Sequence, residues 1–251
     1  MLKIKLDHVA LGLHSIADAE PLLERVLGGV KAGGREAGPP YGFMQWVFSS
    51  GERIEAIYPL GAGGFLHRFL ARGGPRVHHV TFKVPSLDAM IERAAALGYE
   101  IASLDRSDPY WQEAFLHPKQ AQGIVVQLVE HHPRPDDSEF ADATEAPGAA
   151  RVIGPRLVAR SADAARRQWC ELLGGTESRR EDALVFSWPD SPLTITVDLD
   201  ANAEPGPRCI EVAARNGLVL PAGEVPKLGT RFVQRSASPL HIHSAKPMPA
   251  A

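Results

Sequence analysis

The sequence predicts an α+β protein in which tandem βαβββ modules join into one curved mixed sheet, followed by a second, degenerate copy. Three observations lead there. A histidine stands in an alternating apolar run twice, in Leu6-Asp7-His8-Val9-Ala10-Leu11 and in Val77-His78-His79-Val80-Thr81-Phe82. Each run precedes an amphipathic, helix-patterned segment that stops at Leu-Gly, first Leu27-Gly28 and then Leu97-Gly98. Each module then offers a polar residue on an apolar strand, Glu55 in residues 53–57 and Gln127 in residues 125–129. His8 and His79 lie about 70 residues apart, a period that suits one supersecondary unit per copy.

Along the chain, residues 3–13 alternate as a strand. Ser15 or Asp18 caps a helix to about residue 27, with Ile16, Ala19, Leu22, Leu23 and Val26 at helical spacing. Residues 30–42 are rich in Gly and Pro and read as loop with at most a short strand. Residues 43–48 and 53–58 form a hairpin around Ser49-Ser50-Gly51, and residues 65–71 a short helix. The theme restarts with a strand at 78–84, a helix over 87–97 capped by Ser86, a short strand at 101–104, and a hairpin of 113–117 with 124–130. The modules therefore span about 1–72 and 75–131, within a first domain of residues 1–132. Residues 133–150 have no apolar period and read as a linker. Residues 151–235 repeat the theme weakly: strand 156–160, helix 162–173, hairpin 184–188 with 193–199, and a fourth copy begun at 209–213 without its helix. Residues 236–251 read as a poorly ordered tail carrying His241 and His243.

The 251 residues suffice for one large domain or two ordinary ones. A composition of 44% hydrophobic and 23% charged residues is that of a soluble globular protein. The net charge of −3 gives no bulk electrostatic case for nucleic acid or anionic membrane. No apolar run approaches the roughly 20 residues of a membrane span, and the first residues lack a signal-peptide apolar core. Cys170 and Cys209 make no disulfide framework, so reduced thiols and a cytoplasmic location are expected. The expected partner is a small-molecule substrate, with the modules pairing either within one chain or across a homodimer.

Core strands rarely carry polar side chains without a role. A curved sheet of two such modules brings His8, Glu55, His79 and Gln127 together across a pseudo-twofold axis. Two imidazoles with oxygen ligands suit Zn, Ni, Co, Mn or Fe, and two His with one carboxylate is the ligand set of non-haem iron oxygenases. The plainer alternative is buried histidines bonded to backbone carbonyls. By strict alternation His78 faces away from His79. Tyr41, Gln45, Tyr110, Trp111 and Glu113 are candidates to line a substrate pocket. Lys119 either holds an anionic substrate or, with His117, fixes a turn. In the second half, the positions matching His8 and His79 fall near Arg156 and Cys209, and no ligand set survives. That half is expected to act as a lid or to replace a dimer partner.

Residues 8–130 resemble the vicinal oxygen chelate superfamily, which includes glyoxalase I, extradiol dioxygenases, bleomycin-resistance proteins and methylmalonyl-CoA epimerase. The epimerase branch is most similar, through Asp7-His8-Val9-Ala10, Arg53-Ile54-Glu55-Ala56-Ile57-Tyr58-Pro59, Val77-His78-His79-Val80-Thr81-Phe82 and Phe115-Leu116-His117-Pro118-Lys119. The resemblance implies a glyoxalase-like fold and a divalent metal ion (Zn, Co, Ni, Mn or Fe) at His8, Glu55, His79 and Gln127. Three departures stand out. The epimerase branch has a carboxylate where this chain has Gln127. Its second acid/base glutamate should fall in Gly38-Pro39-Pro40-Tyr41-Gly42, which has none. Its Gly/His-rich loop is replaced by Ser107-Asp108-Pro109-Tyr110-Trp111. Because Gln cannot take a substrate proton, Glu55 is the expected catalytic carboxylate. The implied function is a metal-dependent lyase or isomerase acting on a small oxygen-chelating substrate through enolate stabilisation. The alternatives are a non-haem Fe(II) dioxygenase and a non-catalytic binding protein of the bleomycin-resistance type.

Overall fold

The computed structural model describes residues 3–35, 40–133, 145–214 and 216–236; the tail expectation and most of the linker lie outside these. The first half contains β1 (Lys5–Gly12), α1 (Glu20–Leu23), β2 (Val30–Arg35), β3 (Tyr41–Val47), β4 (Arg53–Pro59), α2 (Phe65–Gly73), β5 (Arg76–Lys83), α3 (Leu87–Ala96), β6 (Ile101–Asp108), β7 (Trp111–Leu116) and β8 (Val125–His131). Its strands form one eight-stranded sheet in the order β2-β3-β4-β1-β5-β8-β7-β6. The two modules meet at its centre, where β1 and β5 pair antiparallel, so they pair within one chain.

Local chemistry sets the ends of these elements. The Ser86 hydroxyl accepts from Ala89 N–H and caps α3, which buries Leu87, Met90 and Ala94 on one face. The expected long helix after β1 is instead a 3-10 turn over Ile16–Asp18 and a single α turn, α1. Pro21 contributes no N–H there, and the chain leaves through a wide turn in which Leu27 N–H reaches Leu22 O. Residues 30–35, read as loop with at most a short strand, form a six-residue edge strand.

The second half contains β9 (Arg151–Ala159), α4 (Ala162–Arg166), a π-helical turn (Arg167–Leu172), β10 (Thr176–Arg180), β11 (Ala183–Ser187), β12 (Thr194–Leu199), β13 (Gly206–Ala213), β14 (Glu224–Val225) and β15 (Thr230–Gln234). Its seven strands run β10-β11-β12-β9-β13-β15-β14, the order of the first sheet less one strand. The irregularities are copied as well. In β1·β5, Asp7 and His78 are skipped by the pairing; in β9·β13, Ile153 and Arg208 are skipped at the corresponding places.

A single apolar core runs through both halves. Phe82, on the opposite face of β5 from Thr81, stacks against Trp169 and Trp188 of the second half, with centroids 6.3 and 4.9 Å away. The Ser191 hydroxyl donates to Leu6 O at 2.6 Å. Gly229, at φ +57°, sits so close to the Pro75 carbonyl that any Cβ would overlap it. The second half therefore backs the first sheet on the side away from His8 and His79, which corrects the expectation of a lid. Among the described residues, no helix is long and apolar enough to cross a membrane.

Candidate functional site

Three neighbouring strands, β4, β1 and β5, carry Glu55, His8 and His79. Ala10 lies opposite both Glu55 and His79, and His8 lies opposite Thr81, which sets the three side chains on one face. One ligand atom from each falls within 4.8 Å of the others. His8 Nε2 and His79 Nε2 approach the same oxygen, Glu55 Oε1, at 3.6 and 3.7 Å. All three residues are buried.

The donor set fits a divalent transition-metal ion. His79 Nε2 is buried without a hydrogen-bond partner among the described residues, a costly state for a polar atom unless a ligand completes it. His8 is turned by its other nitrogen: Nδ1 bonds Asp7 Oδ2 at 2.9 Å, and Lys83 Nζ holds Asp7 Oδ1 at 3.2 Å. A carboxylate behind an imidazole fixes the ring and raises its basicity toward a metal. Two imidazole nitrogens and a carboxylate oxygen then converge, as such ions require.

Electrostatics divides the two histidines. Burial opposes a charge on His8, yet the charge of Glu55 and the bonds to Asp7 and Glu55 outweigh it and push its pKa up to about 9. Burial also opposes the Asp7 charge, but His8 and Lys83 hold that carboxyl well below its usual range. Burial first, then His78 and His8, drive His79 well down. His8 therefore holds a proton, while neutral His79 presents a lone pair.

His78 corrects a sequence expectation. Because the pairing skips it, alternation fails at this point, and its Nδ1 lies 2.8 Å from His79 Nδ1. A proton on His79 Nδ1, donated to His78, leaves His79 Nε2 open toward Glu55. Burial and Arg76 lower His78 to about 4, so it stays a neutral acceptor beside Phe69 and Phe65.

Gln127 joins the group by a hydrogen-bonded chain. The Thr81 hydroxyl contacts His8 Nε2 at 2.9 Å and donates to Gln127 Oε1 at 2.5 Å. Gln127 Nε2 donates to Glu113 Oε2 at 2.6 Å, and Trp111 Nε1 donates to the same oxygen at 2.9 Å. Gln45 Nε2 donates to Glu55 Oε2 at 2.9 Å while Gln45 Oε1 accepts from Arg53 Nη1 at 3.2 Å, so the side chain braces the carboxylate. The Tyr41 phenol is raised to about 12 by burial and by the charges of Glu113 and Glu55. Burial raises Glu113 as well. Tyr110 sits in the β6–β7 turn, where its N–H bonds Asp108. Lys119 stands apart: it is exposed in the turn beyond β7, where its N–H closes onto His117 Nδ1. The sequence reading overlooked Thr81 and the buttressing parts of His78 and Gln45.

Residues 7–115 match the family model of the Glyoxalase/Bleomycin resistance protein/Dioxygenase superfamily. Over that segment the chain is similar to the superfamily. It is 28% identical over 134 residues to the ethylmalonyl-CoA/methylmalonyl-CoA epimerase of Cereibacter sphaeroides, covering 49% of this chain and 96% of that protein. It is also 28% identical over 131 residues to the uncharacterized protein YqjC of Bacillus subtilis, covering 50% and 91%. A triple mutant of 4-hydroxymandelate synthase from Streptomyces coelicolor shares the fold across both halves, with a TM-score of 0.61 at 12% identity, over 86% of this chain and 72% of that one. The fold shared with that structure thus extends into the second half, beyond the matched segment.

Proposed function

We propose that this chain is a metal-dependent enzyme of the lyase or isomerase kind, moving a proton on a small oxygen-chelating substrate. The observation that carries the reading is the partnerless, buried His79 Nε2, aimed at the same Glu55 oxygen as His8 Nε2. His8, Glu55 and His79 would hold the cation, with the Gln127 amide oxygen as a fourth donor. A divalent ion there supplies Lewis acidity toward a substrate oxygen and so favours loss of a neighbouring proton.

The chain's own residues supply the rest. Glu55 turns Oε1 to the cluster and has Oε2 fixed by Gln45, which suits a ligand better than the base expected from sequence. Glu113 is better placed to move the proton. It is half-buried, its carboxyl is raised by that burial, and both its hydrogen bonds fall on Oε2, leaving Oε1 for a substrate. Gln127 ties that carboxylate to the cluster through Thr81. The Tyr41 phenol stays protonated, so it would be available to donate to a substrate oxygen. The epimerase relative supports proton transfer as the reaction type. The two free thiols accord with a reducing, cytoplasmic setting. A non-haem iron dioxygenase is the second reading, favoured by the two-histidine, one-carboxylate set.

Elemental analysis of wild type, His8→Ala and His79→Ala decides the site. The expected result is about one equivalent of a transition metal in wild type, lost in both variants. No metal in wild type after reconstitution would sink the proposal. Oxygen uptake that requires iron would move the reaction to the second reading. On a substrate whose acidic carbon exchanges deuterium, Glu113→Gln should slow exchange roughly 10²- to 10⁴-fold with metal content unchanged.

A further inference from the structure

The matched registers assign a counterpart in the second sheet to each of His8, Glu55, His79 and Gln127. His8 pairs with Thr81 and Ala10 with His79; Gly154 pairs with Glu211 and Arg156 with Cys209. Through the neighbouring strands, Glu55 corresponds to Thr196 and Gln127 to Val233. Among the described residues, no His/carboxylate ligand set remains on this face. In its place stands a knot of arginines. Glu211 is fully buried, and its Oε1 accepts from Arg156 Nη1 at 2.9 Å and from Arg235 Nε at 2.7 Å. Its Oε2 accepts from Thr196 at 3.0 Å and from Arg180. Arg156 also forks onto Asp198 at 2.7 and 2.5 Å. Arg231 lies opposite Cys209 in the register, and its charge reaches the Cys209 thiol along with those of Arg156 and Arg235.

Three guanidinium groups therefore gather around two carboxylates, with Arg231 on the neighbouring strand opposite Cys209 and Glu224. A network that served only to bury Glu211 would not need the surplus. The Arg180 and Arg235 side chains remain 34% and 33% exposed, and Arg231 is exposed. Guanidinium is charged at any working pH and offers five N–H donors in a rigid fork. Glu211 uses only one or two donors from each fork and holds Arg156, Arg180 and Arg235 in place. Guanidiniums fixed before a ligand arrives lose little freedom on binding it.

We infer that this face of the second sheet is a binding site for a small dianion. A phosphate monoester and a dicarboxylate share the needed chemistry, two negative charges on paired oxygens that match guanidinium forks. The ligand site of the first sheet has thus been replaced by one of opposite charge preference on the same scaffold.

Calorimetric titration of the full chain with inorganic phosphate, and separately with succinate, at low ionic strength tests this. The expected result is saturable one-to-one binding of at least one probe, and the tighter probe distinguishes the two sources. Arg231→Gln leaves every Glu211 contact in place and should weaken binding about tenfold without a change in Tm. Arg180→Gln should weaken it further, and His8→Ala should leave it intact. Absence of saturable binding overturns the inference. So does binding that survives both arginine substitutions, or binding that is lost in His8→Ala, which would place the anion at the first site.

Discussion

The two sheets share strand order and the two skipped positions in their central pair, yet one face gathers imidazoles and the other guanidiniums. The difference teaches where the fold is specified. The apolar back faces meet in one continuous core, and the stacking of Phe82 on Trp169 and Trp188 belongs to that layer. The opposite faces bear little of the packing, so their residues can change without loss of the scaffold. Gly154 shows how far the change has gone. It stands where His8 stands in the first sheet, at φ +137°, with the Thr194 carbonyl where a Cβ would be. A histidine cannot return there without moving the strand.

The largest effect is expected from testing that position. Gly154→Ala should cost about 3 kcal/mol or more, combining positive-φ strain with overlap against backbone. Urea unfolding would measure it, and a loss under 1 kcal/mol would mean the strand adapts easily and the two sheets are more interchangeable than the comparison holds. Next comes Asp7→Asn, which removes the charge behind His8. The skipped counterpart in the second sheet is Ile153, so only the first sheet needs this carboxylate. Metal affinity should fall roughly 10- to 100-fold, read by competition against a chromophoric chelator, and unchanged affinity would remove Asp7 from the site.

A pH dependence of comparable size tests the same histidine. With its folded pKa raised to about 9, protonated His8 contributes stability below its ordinary value near 6.5, and that contribution is lost as pH rises through about 9. A cation must displace this proton, so affinity should rise about tenfold per pH unit from pH 7 toward 9 and then level off. Titrations in buffers of different ionisation enthalpy should show about one proton released. Affinity that is flat with pH would mean that His8 is not a ligand.

Much of the first site was legible in the sequence because strand periodicity is simple. A polar residue at an apolar position, repeated with the module, marked His8, Glu55, His79 and Gln127. What alternation could not foresee were its own exceptions. No residue pattern announces that the pairing skips His78, and that single step turns a side chain read as facing away into the partner of His79. The same limit placed the His8 counterpart near Arg156 when the register puts it at Gly154. β10, an edge strand with the sequence Thr-Glu-Ser-Arg-Arg, escaped notice because it lacks an apolar signature, and β15, Thr-Arg-Phe-Val-Gln, lies inside the sheet but is too short to show a period. The Glu113–Gln127 bond joins diagonal positions on neighbouring strands, and spacing along one strand cannot show it.

The pairing of β1 with β5 has a consequence for how the site behaves in dilute solution. Its histidines come from two modules of one polypeptide, so bringing them together is an intramolecular event with no dependence on protein concentration. At a fixed, buffered free-metal concentration, metal content per chain should be the same at nanomolar as at micromolar protein, and subunit exchange between wild type and a His79→Ala chain should not rescue the defective copy.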